Sequence, residues 1–380
     1  MLKRYGWIAV LVLGLSACTS QTTSPATVLE QYGKLVHASY QDSLNAAREL
    51  QQAIERFIAA PSQEGLDEAR KQWLAAREWY GQTEAFRFYG GPIDAEDGPE
   101  GRINAWPLDE AYVDAVKGRA DSGIVNNPKI TIDKKTLAEL NEKDGEENIA
   151  TGWHAVEFLL WGQDANDNGP GNRAYTDFVD GKSKNAARRR LYLKTVAELL
   201  VEDLESVTKT WAPGEKNYRA EFVADPANIG KMLTGIGVLT RGELAGERIE
   251  VALDTKSQED EHSCFADNTH RDIVTNVQGI RNVWRGEYKT RDGATLSGPS
   301  LRGLVAAKDQ AAAQRVDADM DASLKLAESI APPFDRAIRA GAPERKAVEE
   351  TVAALKRQAE GLVGAAEALG IKRLNTSLPK

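Results

Sequence analysis

The segment Ile149-Ala-Thr-Gly-Trp-His-Ala-Val-Glu-Phe-Leu-Leu-Trp161 predicts one short helix that is apolar on almost every side. Its only ionisable side chains, His154 and Glu157, lie three residues apart and therefore share one helix face. A carboxylate is costly to bury without a partner. We therefore expect either a metal ion or cationic ligand beside Glu157, or a closed polar pocket in which the pair bonds to itself or to an arginine.

The ends and the interior of this helix carry further signals. Asn148 is expected to cap it, and Gly162 to end it. Gly152 lies inside, where glycine costs about 1 kcal/mol relative to alanine. We therefore expect another backbone or a ligand to approach closely at Gly152.

The N-terminus predicts export and lipid attachment. A basic start is followed by an apolar run from Trp7 to Leu15 that is too short to span a bilayer. It leads into Leu15-Ser-Ala-Cys18, which resembles a bacterial lipoprotein processing site. We expect a signal peptide over residues 1–17, lipid on Cys18 and a Ser/Thr-rich tether over 18–27. Thr19 favours the outer membrane, facing the periplasm; the alternative is an ordinary secretory signal before an unmodified cysteine.

Charge and cysteine content exclude several classes of protein. The chain has 380 residues and a net charge of −9, with its lysines and arginines dispersed, which argues against nucleic-acid binding. Its two cysteines are Cys18 and Cys264, so lipid on the first excludes an intramolecular disulfide. Cys264 is then either a buried, inert thiol or part of a site.

Helical periodicity extends over almost the whole chain and predicts an all-α fold. Long amphipathic helices with short breaks indicate two helical bundles packed side by side, over residues 28–212 and 220–380, with the break at Pro213-Gly214. One helix is expected from His270 to Tyr288 and one from Leu301 to Ile330. No strand pattern, phosphate loop or nucleophile elbow is evident.

A second segment with potential chemistry is the helix from Leu66 to Phe88. Glu84 lies there among aromatic residues and could supply an oxygen ligand to a metal beside His154. The alternative is a surface pair between Glu84 and Arg87. The turns that follow contain Asp94 and Asp109, which could complete or orient such a site.

The third segment runs from Glu259 to His270 and concentrates nitrogen and sulfur ligands. It contains His262, Cys264, Asp267 and His270 in a chain with only four histidines. Histidine and cysteine bind transition metals and haem iron, but this spacing fits no standard zinc motif. The alternative is an Asp/Asn-rich loop that caps the next helix.

Together these segments resemble the imelysin-like family, also known as insulin-cleaving membrane peptidases or iron-regulated proteins. Gly152-Trp-His154-Ala-Val-Glu157 resembles its Gly-x-His-x-x-Glu signature, and the resemblance covers essentially the whole mature chain. It implies two helical bundles derived from a duplication, a site near their interface and a role in bacterial iron uptake. It also places Glu84 at the acidic position of the partner helix.

Peptidase chemistry fits the residues less well than metal binding. A zinc peptidase needs ligands, an open position for water and a general base. His-Glu-x-x-His is absent, and so is His-x-x-Glu-His, because Phe158 follows Glu157. One histidine and one glutamate leave no obvious further ligand and base unless Glu84 or the 259–270 segment contributes.

The sequence therefore predicts a lipid-anchored periplasmic protein that captures iron or haem and passes it to other iron-uptake components. The expected metal ligands are His154, Glu157 and Glu84; zinc or copper would also suit this donor set. In a haem protein, His154 or His262 would be the axial ligand. Two alternatives remain: a metallopeptidase with Glu157 as the catalytic residue, and a non-catalytic lipoprotein that binds a protein partner.

Overall fold

The computed structural model describes residues 23–166, 168–214 and 216–378, and these form an all-α fold. The helices of the first half are α1 (Pro25–Ala59), α2 (Gln63–Thr83), α3 (Glu100–Asn104), α4 (Glu110–Val113), α5 (Gly123–Asn126), α6 (Lys134–Leu140), α7 (Gly152–Trp161) and α8 (Ala186–Thr210). Those of the second half are α9 (Tyr218–Ala224), α10 (Ile229–Val238), α11 (Val251–Thr255), α12 (Thr269–Arg285), α13 (Leu301–Ala306), α14 (Gln310–Ala327), α15 (Phe334–Ile338) and α16 (Arg345–Ala368). A π-helical segment, Leu239–Glu250, joins α10 to α11.

The first half is built on α1, which packs against both α2 and α8. Ser24 caps α1 by accepting a hydrogen bond from the Thr27 amide, and Pro25 occupies the first helical position. The apolar residues of α1 recur at helical spacing and are buried along its length, as Tyr32, Tyr40 and Ile54 illustrate. This apolar face is why a 35-residue helix forms here.

Helix α7 lies inside this half, and all ten of its residues are buried. It packs against α2 and α8, and the indole of Trp73 donates to the carbonyl of Trp153 over 3.0 Å. It begins at Gly152, whose φ of 81° is left-handed; a Cβ there would lie 2.4 Å from the carbonyl oxygen of Ile103. The close approach predicted at Gly152 is thus an approach of backbone.

The predicted cap of α7 is wrong. Thr151 precedes the helix, and the Asn148 amide donates instead to the carbonyl of Lys143. The side chain of Asn141 accepts from the amides of Ala150 and Thr151, which holds the chain extended up to the glycine.

In the second half, α12 packs on α14 and on the π-helical segment, and α16 packs on both of these elements. Two predicted helices end early. Helix α12 stops at Arg285 because Gly286 adopts a left-handed φ of 65°, and a short antiparallel hairpin of Glu287–Lys289 and Thr295–Ser297 follows. The helix expected over 301–330 is two helices, since Asp309 caps the second by accepting from Ala312.

The halves meet where α12 crosses α2. The crossing is close because two glycines lie in it: a Cβ at Gly279 would be 2.3 Å from the carbonyl oxygen of Gln82, and one at Gly81 would be 2.0 Å from the Thr275 hydroxyl. The division into two bundles and their duplicated origin stay predictions. Within the described ranges, no helix combines the length and apolarity needed to span a membrane.

We predict that Gly279→Ala destabilises the protein by about 1–3 kcal/mol, because the new methyl group meets the backbone of Gln82. Urea unfolding would measure the change. The matched control is Gly230→Ala in α10, where nothing lies within 4 Å of the added Cβ. It should be neutral or slightly stabilising. Equal effects of the two substitutions would contradict the proposed tight crossing.

Candidate functional site

His154 and Glu157 form a closed pair inside the protein. The Nδ1 of His154 is 2.8 Å from Oε2 of Glu157, and the side chains are 2% and 0% exposed. The other oxygen of Glu157, Oε1, accepts a hydrogen bond of 2.9 Å from the amide of Ala266. Burial raises the pKa of Glu157 and lowers the pKa of His154, so it disfavours the charged form of each side chain.

The second ring nitrogen of His154 is left over. Nε2 is buried and has no hydrogen-bond partner among the described residues. Because Nδ1 is held by Glu157, only Nε2 is available to a further group. Metal-binding histidines are commonly oriented in this way, with a carboxylate on one nitrogen and the metal on the other.

A second histidine–carboxylate pair faces the first. The imidazole of His262 lies edge-on to that of His154, with ring centroids 4.9 Å apart and planes 61° apart. Nδ1 of His262 is 3.1 Å from Oδ2 of Asp272, and its Nε2 is 3.4 Å from the amide nitrogen of Asn104. Burial, reinforced by Arg248, lowers the pKa of His262 to about 4. We call His154, Glu157, His262 and Asp272 the paired-histidine site.

Arg77 joins this site to the crossing of α2 and α12. Its Nε and Nη2 donate to Oδ1 of Asp272 over 3.1 and 2.9 Å, and its Nη1 donates to Asn104 over 2.7 Å. Asp272 also accepts from the hydroxyl of Ser263. Burial by itself would raise the pKa of Asp272, but Arg77 and His262 hold it far below its ordinary value.

Glu84 lies on the edge of the same region. One of its oxygens accepts from Arg87 over 2.7 Å and from Arg248 over 3.1 Å, and the other accepts from Asn104 over 2.8 Å. Although burial opposes ionisation, the two arginines lower the pKa of Glu84 to about 2. The pair with Arg87 is therefore present, but buried rather than on the surface. The role of Glu84 as a metal ligand stays a prediction. To bind a metal, its carboxylate would have to break some of these hydrogen bonds.

The other predicted site residues of the first half have local roles. Asp94 accepts from the amides of Phe88 and Gly91 and closes a turn. Asp109 caps α4 by accepting from Ala111. Neither of these hydrogen bonds connects to the paired-histidine site. A role of the two carboxylates in ion binding stays a prediction.

Of the four ligands predicted in the segment 259–270, only His262 is joined to the paired-histidine site by the bonds described above. Cys264 is a buried free thiol whose pKa is raised by burial and then by Glu157. Nδ1 of His270 is 3.2 Å from the carbonyl oxygen of Asp267. Asn268 occupies the cap position of α12 without a capping side-chain bond, so the Asp/Asn-rich loop does not cap the helix through that residue.

Four residues of this region were not predicted as site residues: Arg77, Asn104, Arg248 and Asp272. Arg77 carried a usable signal, because it shares an aromatic helix face with Trp73 and Tyr80. An arginine on such a face needs a buried acidic partner, just as Glu157 does in its apolar helix.

The arrangement offers two neutral imidazoles and two carboxylates that orient them. Among the described residues, no three His, Cys, Asp or Glu side chains lie close enough together to hold a metal ion. A bound ion would therefore take its first ligands from imidazole and the rest from water or from a rearranged carboxylate.

Comparison with known proteins places the chain in a family. The imelysin family model matches residues 36–362. The chain belongs to the imelysin family. It is 24% identical over 333 residues to iron-regulated protein A of Synechococcus elongatus, a match that covers 84% of this chain and 80% of that protein.

Crystal structures of two other proteins share the imelysin fold seen here. An iron-regulated protein A precursor from Parabacteroides distasonis has a TM-score of 0.71 and 17% identity, covering 93% of this chain and 97% of that one. An imelysin-like protein from Psychrobacter arcticum has a TM-score of 0.66 and 15% identity, covering 94% and 99%. At these identities the likeness establishes the fold alone.

We predict that Asp272→Asn destabilises the protein by about 3–5 kcal/mol, because it leaves the buried Arg77 without a counter-charge. The matched control is Glu78→Gln, which removes a partly exposed pair with Arg271 between the same two helices. The control should cost less than about 1 kcal/mol. Urea unfolding of both variants would test this, and similar losses would contradict a dominant buried pair.

Proposed function

We propose that this imelysin-family protein captures iron at the paired-histidine site as a lipid-anchored, periplasm-facing component of iron uptake. The observation that carries the proposal is the unpartnered Nε2 of His154. Buried polar atoms are nearly always paired, and leaving one unpaired costs about 1–3 kcal/mol. A cation that binds the lone pair of this nitrogen would offset the free-energy cost of burying it unpaired.

The protonation state of the site favours binding of a metal. A metal ligand must present a free lone pair, so a histidine has to be neutral. Burial lowers the pKa of both histidines, which keeps both rings neutral at the pH of the periplasm. Imidazole nitrogen supplemented by oxygen suits iron, and also zinc and copper.

The spacing of the two rings favours an ion over haem between them. A macrocycle held by two axial histidines lies between the rings, and centroids 4.9 Å apart leave no room for it. Haem binding would therefore use one of the histidines alone, after rearrangement. The names of the relatives, iron-regulated protein A, support iron as the cargo.

Loading must displace the segment that covers the site. This segment carries His262, and its Ala266 amide holds Glu157. Peptide hydrolysis fits less well, because a polypeptide would have to reach two side chains that are almost completely buried. A partner-binding lipoprotein without any ligand would leave the unpaired nitrogen of His154 unexplained.

We predict that the tag-free protein binds Fe(II) stoichiometrically and that His154→Ala abolishes the binding. Anaerobic titration followed by elemental analysis would measure it, and a visible spectrum after titration with haem would test the second cargo. His37→Ala is the matched control, since it removes a histidine from α1 outside the site. Glu157→Gln, which retains the bond to the imidazole, should weaken binding less than His154→Ala.

Failure of the wild-type protein to bind either iron or haem would overturn the capture proposal. Chelator-sensitive cleavage of insulin with turnover, abolished by Glu157→Ala, would replace it with the peptidase alternative. Absence of both activities would favour the partner-binding alternative.

Lipid attachment is a separate part of the proposal, because Cys18 lies outside the described residues. We predict that Cys18→Ser moves the protein from the membrane fraction to the soluble fraction of the cell envelope. Cys264→Ser is the matched control and should leave it in the membrane fraction, since that thiol is buried. Equal partition of both variants and the wild type would contradict a lipid anchor.

A further inference from the structure

The loop that follows α7 contains a second chemical signature. Residues 164–169 read Asp-Ala-Asn-Asp-Asn-Gly and match the Asp-x-Asn-x-Asn-Gly half of a calcium-binding loop. In such loops the first, third and fifth residues supply oxygen ligands, and the glycine allows the sharp turn. These positions are occupied here by Asp164, Asn166, Asn168 and Gly169.

The continuation of the loop departs from the pattern. The twelfth position, which in an EF-hand holds a bidentate glutamate, is Tyr175. A calcium ion bound by this loop would therefore need its further carboxylate from another part of the chain.

A second loop lies against the first and supplies candidates for this further carboxylate ligand. The side-chain amide of Gln258 donates to the carbonyl of Asp164 over 3.0 Å, and the amide of Gly171 donates to the carbonyl of Phe265 over 2.9 Å. The segment 257–268 is therefore bonded to residues 164–169, which we call the Asp/Asn loop, at Asp164, and to the chain just after this loop at Gly171. Glu261 and Asp267 lie in this segment.

Glu261 is the observation that indicates a ligand. Its side chain is 2% exposed, and neither of its oxygens meets the geometry of a hydrogen bond. Asp267 lies in the same segment, and Asp164 lies in the loop that is bonded to it. A buried carboxylate without a hydrogen bond is costly unless a cation joins it.

The Asp/Asn loop also has space beside it. Asp164 and Asn166 line a cavity of about 490 Å³ together with Trp161. A calcium ion commonly keeps some of its water ligands, and a cavity of this size accommodates them.

We propose that Asp164, Asn166 and Asn168 bind a calcium ion together with Glu261, and that this ion fastens the Asp/Asn loop to the segment 257–268. The site is separate from the paired-histidine site and does not depend on the proposed iron binding. Its donors are oxygens, which calcium prefers, and their flexible loops suit calcium better than the strict octahedron of magnesium. In the part of the chain that the structure describes, no three His, Cys, Asp or Glu side chains are already placed to hold a metal ion, so amides, carbonyls and water complete the sphere.

The test uses the full mature chain after treatment with a calcium chelator. Isothermal titration with Ca²⁺ should show one site per chain, and Ca²⁺ should raise the unfolding temperature. Asp164→Asn should weaken the affinity at least tenfold. Asp319→Asn is the matched control, since Asp319 on α14 also has a buried oxygen without a hydrogen bond, and it should leave the affinity unchanged.

Glu261→Gln distinguishes a ligand from a residue that merely supports the fold. In chelator it should unfold at the same temperature as the wild type or higher, because a buried, repelled carboxylate is gone. Its stabilisation by Ca²⁺ should be lost. A variant that is destabilised in chelator yet keeps the full response to Ca²⁺ would overturn the assignment of Glu261.

Two further measurements separate this site from others. Tb³⁺ should be sensitised by excitation of tryptophan, because Trp161 lines the same cavity, and Ca²⁺ should quench that emission by displacement. His154→Ala should bind Ca²⁺ as the wild type does, so failure of the iron proposal leaves this one intact. Absence of Ca²⁺ binding by the wild type, equal binding of Mg²⁺, or unchanged affinity in Asp164→Asn would overturn the proposal.

Discussion

The cost of burying charge at the crossing of α2 and α12 governs both the fold and the site. Arg77 on α2 is almost fully buried and is neutralised by Asp272 on α12, while Glu84 from the first half is neutralised by Arg248 from the second. Glu84 also has Arg87, and Arg248 also has Glu243, within its own half, but the guanidinium of Arg77 is paired with a carboxylate from the other half. Separating the halves would leave Arg77 without this counter-charge in apolar surroundings, and an unpaired buried charge costs several kcal/mol. Close contact of the halves therefore follows from the same side chains that surround the site.

Within the paired-histidine site, one polar atom is left without a partner. The carboxylates of Glu157 and Asp272 are fully engaged, yet Nε2 of His154 has no partner. Folded proteins keep such defects mainly where function requires them. The unpaired nitrogen lies on α7, all ten residues of which are buried. The ligand that we propose would supply the partner that this nitrogen lacks.

The sequence predicted the features of the fold and of the site that depend on residues close together in the chain. Apolar periodicity indicated an all-helical chain, and an apolar helix with two ionisable residues located the paired histidine and glutamate. The pairing of Asp272 with Arg77 and of Arg248 with Glu84 could not be found in this way, because these partners lie 195 and 164 residues apart and leave no local pattern. Helix ends were missed where one residue decides them, as Gly286 does for α12. Arg87 was named from the sequence as an alternative partner of Glu84, but Arg248 was not, and both arginines lower the pKa of Glu84.

The two proposed ion sites share one piece of chain. The segment 257–268 carries His262 and the amide that holds Glu157, and it also carries Glu261 beside the Asp/Asn loop. A calcium ion that fixes this segment would stabilise the closed position of the cover over the histidines. Iron must displace that cover to enter, so the two ions would act on one local equilibrium. An ion that favours the closed cover would make opening rarer, and this would slow both the loading and the release of iron. If both proposals hold, the placement of both ligand sets on one segment would couple iron capture to calcium binding.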